Sequence, residues 1–285
     1  MRIEPEIKNI MKKIEQLSSR HGYWETFSDW ISCMALAISN VVDGIHYEIR
    51  EKEYLQIIKK YSSSEQEQFA QMFAMLQQVI EKRQIEGSYE EILGFIHHDM
   101  KLNNENIGQF FTPWSICQMM GRVTVDQSAK ETVKEKGFVS LAEPSCGAGA
   151  TILGCIEALA KIGVHSGQVL VKGTDIDLRC VQMTYVQLSL YAVPAVIKHG
   201  NTLSMNEWSN WYTPAYMLGA WYWKDDVIDG QRQYQETEIF KRASNPLYAA
   251  IRTIEERNLE GKTPEKEAVS NKNNRRNGCG QEQTT

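Results

Sequence analysis

The residues best placed to do chemistry stand in the run Leu141-Ala142-Glu143-Pro144-Ser145-Cys146-Gly147-Ala148-Gly149-Ala150-Thr151. Gly147 and Gly149 clear side chains from a turn so that a ligand can approach the backbone, and the N-terminus of a following helix favours a carboxylate or phosphate. Two phosphate-binding patterns are excluded. The dinucleotide fingerprint needs a third glycine where Ile152 stands, and a phosphate loop needs Gly-Lys-Ser/Thr. Glu143, just before the turn, would repel a pyrophosphate and can accept a hydrogen bond from an ammonium. Asp175, in Gly173-Thr174-Asp175-Ile176-Asp177, is a carboxylate able to take both hydroxyls of a ribose. The ligand described by these groups has an amino group, a carboxylate and a ribose but no phosphate, and S-adenosylmethionine answers to it.

Such a turn has to be carried by strands and helices. Phe138 to Ala142, Val169 to Val171 and Ala195 to Ile197 read as buried strands, with helices over 151–161 and 180–191 between them. Strand, helix, strand, helix, strand predicts a parallel sheet that binds ligand at the carboxyl ends of its strands. Before Lys101 the chain reads as helical. Trp24, Phe27, Trp30, Ile31, Met34, Ala35 and Ile38 form one stripe, on a helix ending near Asn40. Phe69, Met72, Phe73, Met75, Leu76, Val79 and Ile80 form a second, with a start at Ser63. The fold class expected is α/β: a helical domain over 1–105, a Rossmann-like cofactor-binding domain over 106–260, and a flexible polar tail over 261–285. Past Asn201 the strand pattern degrades into a segment with Trp208, Trp211, Trp221 and Trp223.

Gly108-Gln109-Phe110-Phe111-Thr112-Pro113, some distance before a Glu-Pro-x-x-Gly-x-Gly turn, resembles the N6-adenine DNA methylases, in particular the modification subunit of type I restriction-modification systems. Glu91-Ile92-Leu93-Gly94 is similar too, so the likeness runs over about 88–204, and it implies that the domain over 106–260 is a truncated Rossmann-like, S-adenosylmethionine-dependent methyltransferase domain. The resemblance implies that Gln109, Phe110, Phe111, Thr112, Pro113 and Trp114 line a pocket for S-adenosylmethionine. It implies that Glu143, Gly147, Ala148 and Gly149 hold the methionine portion and that Asp175 binds the ribose. Gly200-Asn201-Thr202-Leu203 is similar to the family's Gly-Asp-x-Leu, whose aspartate receives the adenine amino group of the cofactor. With Asn201 a carboxamide oxygen accepts that bond without charge assistance.

The family's catalytic Asn/Asp-Pro-Pro-Tyr/Phe loop is missing. Asn245-Pro246-Leu247-Tyr248 is the nearest string, but charged Glu238, Lys241 and Arg242 precede it, and Phe240, Leu247, Ile251 and Ile254 recur at helical spacing; Asn245 and Pro246 read as a helix start. Thr213, Pro214 and Tyr216 occupy roughly the place of the missing loop, as an imitation of it or as core packing. The His97-His98 pair reads as solvated surface, because neighbouring residues on a helix point different ways. His199 reads as a cap for strand-end backbone groups, and Cys146 as a small residue in a turn rather than a nucleophile.

Composition bounds the partners. The 285 residues are 42% apolar and 24% charged, as in globular chains, and the net charge of -5 leaves DNA to be held by local patches or by a partner. Six cysteines without a C-x-x-C pair argue against a zinc cluster or a disulfide framework, and the start carries no apolar leader, so a reduced, cytoplasmic, non-membrane protein is expected. The resemblance implies a DNA adenine-N6 methyltransferase-like protein of a restriction-modification or mobile-element context, in a homo- or hetero-oligomer whose partner subunit supplies sequence recognition. Two other readings stand beside it: a catalytically inactive cofactor-binding module associated with DNA or a partner, and a methyltransferase on RNA or a small molecule.

Overall fold

Val139–Glu143 (β1), Val169–Asp175 (β2) and Ala195–Asn201 (β3) lie side by side as parallel strands, joined by Ala150–Lys161 (α8) and Leu178–Leu190 (α9). The computed structural model describes residues 3–100, 112–219 and Trp221. Val139 pairs with Val169 and Glu143 with Gly173, while Val171 pairs with Ala195 and Asp175 with His199. This register sets the ends of β1, β2 and β3 next to one another on one edge of the sheet. Leu153, Ile156, Val181, Val186 and Leu188 of the two helices are almost wholly buried against Val169, Val171, Ala195 and Ile197. Each such side chain contributes about 1.5–3 kcal/mol on leaving water.

The sheet has a fourth strand that the sequence reading lacks. Asn206–Tyr212 (β4) runs antiparallel beside β3, pairing Ile197 with Trp211 and Val196 with Tyr212, with a register shift at His199/Gly200. Trp208 and Trp211 stand three apart, so strand alternation points them to opposite faces. Trp211 is buried, and Trp208 is 54% exposed. A hydrophobic spacing of three obscures a period of two, which is why the segment did not read as a strand. Pro214–Leu218 (α10) follows.

Among the described residues, five helices lie before residue 100: α1 Pro5–His21, α2 Tyr23–Val42, α3 Tyr47–Ile58, α4 Ser63–Ile85 and α5 Leu93–Asp99. The two expected stripes are largely their buried faces, with Phe27, Trp30, Ile31, Met72, Leu76 and Ile80 among them. Helix α2 ends at Val42, and α4 starts with a capping box between Ser62 and Glu65, one residue ahead of the expected Ser63. Trp24 departs from its stripe. It is 41% exposed and lies under the guanidinium of Arg179, 3.4 Å from Cζ to the ring centroid. His97 also departs from expectation: it is buried, between the rings of Phe27 (5.4 Å) and Trp24 (6.1 Å), whereas His98 is exposed. The α5 turn faces α2, and packing rather than solvation decides which of the two histidines is inside.

These helices share one hydrophobic core with the sheet. Arg50 of α3 reaches across to β4, donating to the Asn210 carbonyl (2.7 Å) and pairing with buried Asp43 (2.7 Å) while its guanidinium covers Trp211. Arg83 of α4 grips Glu4 through Nε (3.1 Å) and Nη2 (2.8 Å). Helices α6 (Trp114–Thr124) and α7 (Ser128–Lys136) lead into β1. Helix α6 lies on α8 with backbone touching backbone, since a Cβ at Gly121 would come 2.3 Å from the Gly154 carbonyl oxygen. No described helix is long and apolar enough to cross a membrane.

Candidate cofactor site

The turn from Pro144 to Gly149 is shaped by two left-handed glycines, Gly147 at φ +53° and Gly149 at φ +91°. Such angles strain any residue with a Cβ. A Cβ at Gly149 would also stand 3.1 Å from Thr184 Oγ1, so the turn is closed against side chains from below. Backbone bonds fix it to the sheet: Cys146 N–H donates to the Thr174 carbonyl (2.9 Å) and Gly149 N–H to the Cys146 carbonyl (2.8 Å). Thr184 of α9 donates its hydroxyl to the Gly147 carbonyl (2.7 Å).

Both predicted carboxylates converge on this turn. Asp175 Oδ2 accepts from Gly147 N–H (2.8 Å) and its Oδ1 from Asp177 N–H (2.9 Å). Glu143 Oε1 accepts from Ser145 N–H (3.2 Å) and its Oε2 from the Thr151 hydroxyl (2.8 Å). A carboxylate has about four acceptor positions, so each retains room for ligand donors. Burial pushes the Asp175 carboxyl above the ordinary value, aided by the charge of Asp177, while N–H groups of Asp177, Gly147 and Ile176 work against the rise. Both groups are half-buried, at the surface of the strand ends rather than sealed in the core.

Asn201 stands at the end of β3, on the same edge of the sheet. Its Oδ1 accepts from the N–H groups of Leu203 (2.9 Å) and Ser204 (3.2 Å), which uses both lone pairs of the carboxamide oxygen to close the β3–β4 turn. The neighbouring Thr202 hydroxyl donates to the Pro144 carbonyl (2.6 Å) and ties that turn to the glycine turn. Of the aromatic motif, Thr112, Pro113 and Trp114 are described: they form the entry to α6, with Pro113 at its N-cap and Trp114 against the core. The Cys117 Sγ–H, one turn on, points to the Thr112 carbonyl, and burial together with the charge of Glu91 pushes this thiol up to about 11. Gln109, Phe110 and Phe111 lie outside the described residues, as do Asn245, Pro246, Tyr248 and the tail over 261–285.

Cys146 is 3% exposed, and burial beside the Asp175 carboxylate pushes its thiol well up. The helix N-terminus behind it does not offset that. Thr213 and Tyr216 are both fully buried. The Thr213 hydroxyl donates to the Val193 carbonyl (2.7 Å), accepts from Ala195 N–H (2.9 Å), and caps α10. Tyr216 stacks on Tyr212 at 5.6 Å. Pro214 opens α10, so all three work in the joint between β3 and α10. His199 lies edge-on to Trp208 at 4.7 Å.

Sequence reasoning missed Thr184 and Gln187, which grip the turn from α9. The signal available was three polar residues, Gln182, Thr184 and Gln187, in the middle of a helix where Val181, Met183, Val186 and Leu188 make the apolar face; all three are buried. A family model described as N-6 DNA methylase matches residues 82–260, which takes in α5 to α10 and the whole glycine turn. No curated protein and no solved structure matches the chain.

Proposed function

The chain belongs to the N-6 DNA methylase family, and on that premise we propose that it binds S-adenosylmethionine at the turn between β1 and α8 and serves adenine-N6 methylation of DNA. The observation that carries the reading is the convergence of Glu143, Asp175 and two left-handed glycines on one turn at the carboxyl ends of parallel strands. The donor set suits the cofactor. The spare acceptor positions of Glu143 suit an ammonium, and those of Asp175 suit the ribose hydroxyls. The open backbone at Gly147 to Gly149 suits the methionine chain, and Thr184 beneath Gly149 leaves no room for a side chain there that would keep the turn in this shape. On the family likeness, Thr112, Pro113 and Trp114 at the entry to α6 are the described residues that would wall the cofactor. Asn201 spends its oxygen on its own turn, so the adenine end is held less firmly than a family aspartate would hold it.

When bound, S-adenosylmethionine supplies an electrophilic methyl group. The part of this chain's residues is to orient it: the Glu143 carboxylate fixes the ammonium and Asp175 fixes the ribose, which sets the direction in which the methyl faces. The attacking nitrogen must come in line with the bond that breaks, and that alignment is what positioning contributes to rate. A partner subunit supplies target recognition, in keeping with the net charge of -5 and with a restriction-modification or mobile-element setting.

One observation favours a second reading, a cofactor-binding module without turnover. The Thr213 hydroxyl is committed to Val193 and Ala195, and Tyr216 is fully buried, so neither is presented to a base. Transfer of radiolabelled methyl onto mixed-sequence DNA separates the two, with Glu143→Ala as control. Label on adenine that is lost in Glu143→Ala supports the enzyme. Cofactor binding by calorimetry without label supports the module, and absence of cofactor binding refutes both.

A further inference from the structure

A turn with two left-handed residues has no ladder of its own and must be held from outside. Below Ala148 that hold is Gln187, a side chain with no exposure to solvent. Its amide nitrogen donates to the Ala148 carbonyl (2.8 Å) and to Glu91 Oε1 (3.0 Å). Its oxygen accepts from the N–H groups of Ile92 (2.7 Å) and Leu93 (3.2 Å), at the start of α5. Those two N–H donors fix which way the amide faces, and all four of its hydrogen-bonding positions are used. Glu91 completes the unit: its carboxylate also accepts from Gly94 N–H and from Phe95 N–H (3.1 Å). Helix α5 sits directly on the turn, since a Cβ at Gly94 would come 2.7 Å from the Ala148 Cβ.

We infer that Gln187 is a positioning residue for the cofactor turn: it latches the turn to α5 and Glu91, so the turn holds its binding shape only while α5 is docked. This rests on the reading of that turn as the S-adenosylmethionine site and goes beyond it by naming what preorganises the site. The physical reason is that one buried amide joins three segments far apart in the chain. Losing it would leave the Ala148 carbonyl, Ile92 N–H and Leu93 N–H buried without partners. Charge reaches the latch from several elements. Arg83 of α4 and Glu90 stand near Glu91, the Cys117 thiol of α6 and the hydroxyl of Tyr191, just past α9, feel its charge, and Glu157 of α8 bears on Glu90.

Gln187→Glu is the direct test, made on the full chain. It keeps an oxygen for Ile92 and Leu93 but, while ionised, has no N–H for Ala148 or Glu91; when protonated it regains one donor. At pH 8, amide exchange in 145–149 is expected to quicken and S-adenosylmethionine affinity by calorimetry to fall, each by at least about tenfold: the loss of one buried hydrogen bond, with the repulsion of two neighbouring carboxylates added to it. At pH 6 the affinity ratio to wild type is expected to recover in part, a response that a merely structural role would not produce. Gln187→Asn is too short to span Ala148 and Ile92, and serves if Gln187→Glu does not fold. Its deficit relative to wild type is expected at both pH values. Unchanged exchange in the turn overturns the inference, and so does unchanged affinity where wild type binds. If wild type binds no S-adenosylmethionine while exchange quickens in the variant, the latch stands and the cofactor reading falls.

Discussion

Gly149→Ala puts the shape of the cofactor turn to a quantitative test. At φ +91° an L-residue costs about 1–2 kcal/mol that glycine does not. The new Cβ would also stand 3.1 Å from Thr184 Oγ1 and 3.3 Å from its Cγ2, closer than ordinary contact. Thr184 has to yield, and its hydroxyl holds the Gly147 carbonyl at 2.7 Å. Weakening that bond adds about 1 kcal/mol. The total of about 2–3 kcal/mol corresponds to a melting temperature lower by roughly 5–10 °C for a unit of this size. Gly137→Ala is the built-in control: φ is +84°, but a Cβ there meets nothing within 4 Å, so only the strain remains. Urea unfolding should therefore place Gly149→Ala about 1 kcal/mol below Gly137→Ala. Calorimetry should find S-adenosylmethionine affinity reduced in Gly149→Ala alone. Equal destabilisation of the two variants, or unaltered cofactor binding in Gly149→Ala, would refute the reasoning that the turn is closed by Thr184.

Thr213→Val is expected to lose about 2–3 kcal/mol in urea unfolding, because the Ala195 N–H and the Val193 carbonyl are left buried without their partner; lost methyl transfer at unchanged stability would instead make this hydroxyl catalytic. For pH, burial pushes Glu91 up to about 7 from an ordinary 4.5, against hydrogen bonds from Gly94, Gln187 and Phe95. The folded state thus holds this proton more tightly than the unfolded chain does. The stabilisation is complete below about pH 4.5 and is lost as pH rises through about 7, on the order of 3 kcal/mol. Melting temperatures from pH 5 to 8 should show that decline in wild type and a flatter profile in Glu91→Gln; parallel profiles would rule Glu91 out as its source.

Much of the cofactor turn was legible because its requirements are local. A strand end, two glycines and a helix start within a few residues can serve only a few backbone shapes, and Glu143 and Gly147 to Gly149 stand together at one such turn. Asp175 followed from the same logic one strand further on. The parallel order of three strands was also readable, since each strand is an apolar run bounded by a turn and a helix. For Asn201 the sequence offers a carboxamide, and only the fold shows that the N–H groups of Leu203 and Ser204 reach its oxygen.

What the sequence by itself determined is the chemistry the site can offer, because residue type and spacing along one strand–turn–helix unit survive any arrangement of the rest. What only the tertiary structure decided is what holds that unit in shape. Gln187 meets Ala148 39 positions away and Ile92 95 positions away, and nothing in a glutamine on a helix announces such partners. The same is true of His97, drawn inside by Phe27 and Trp24, and of β4, whose place beside β3 is set by Trp211 filling the core under Arg50. Burial is a property of the packed molecule: a polar side chain becomes a support when its neighbours exclude water and leave it one set of partners.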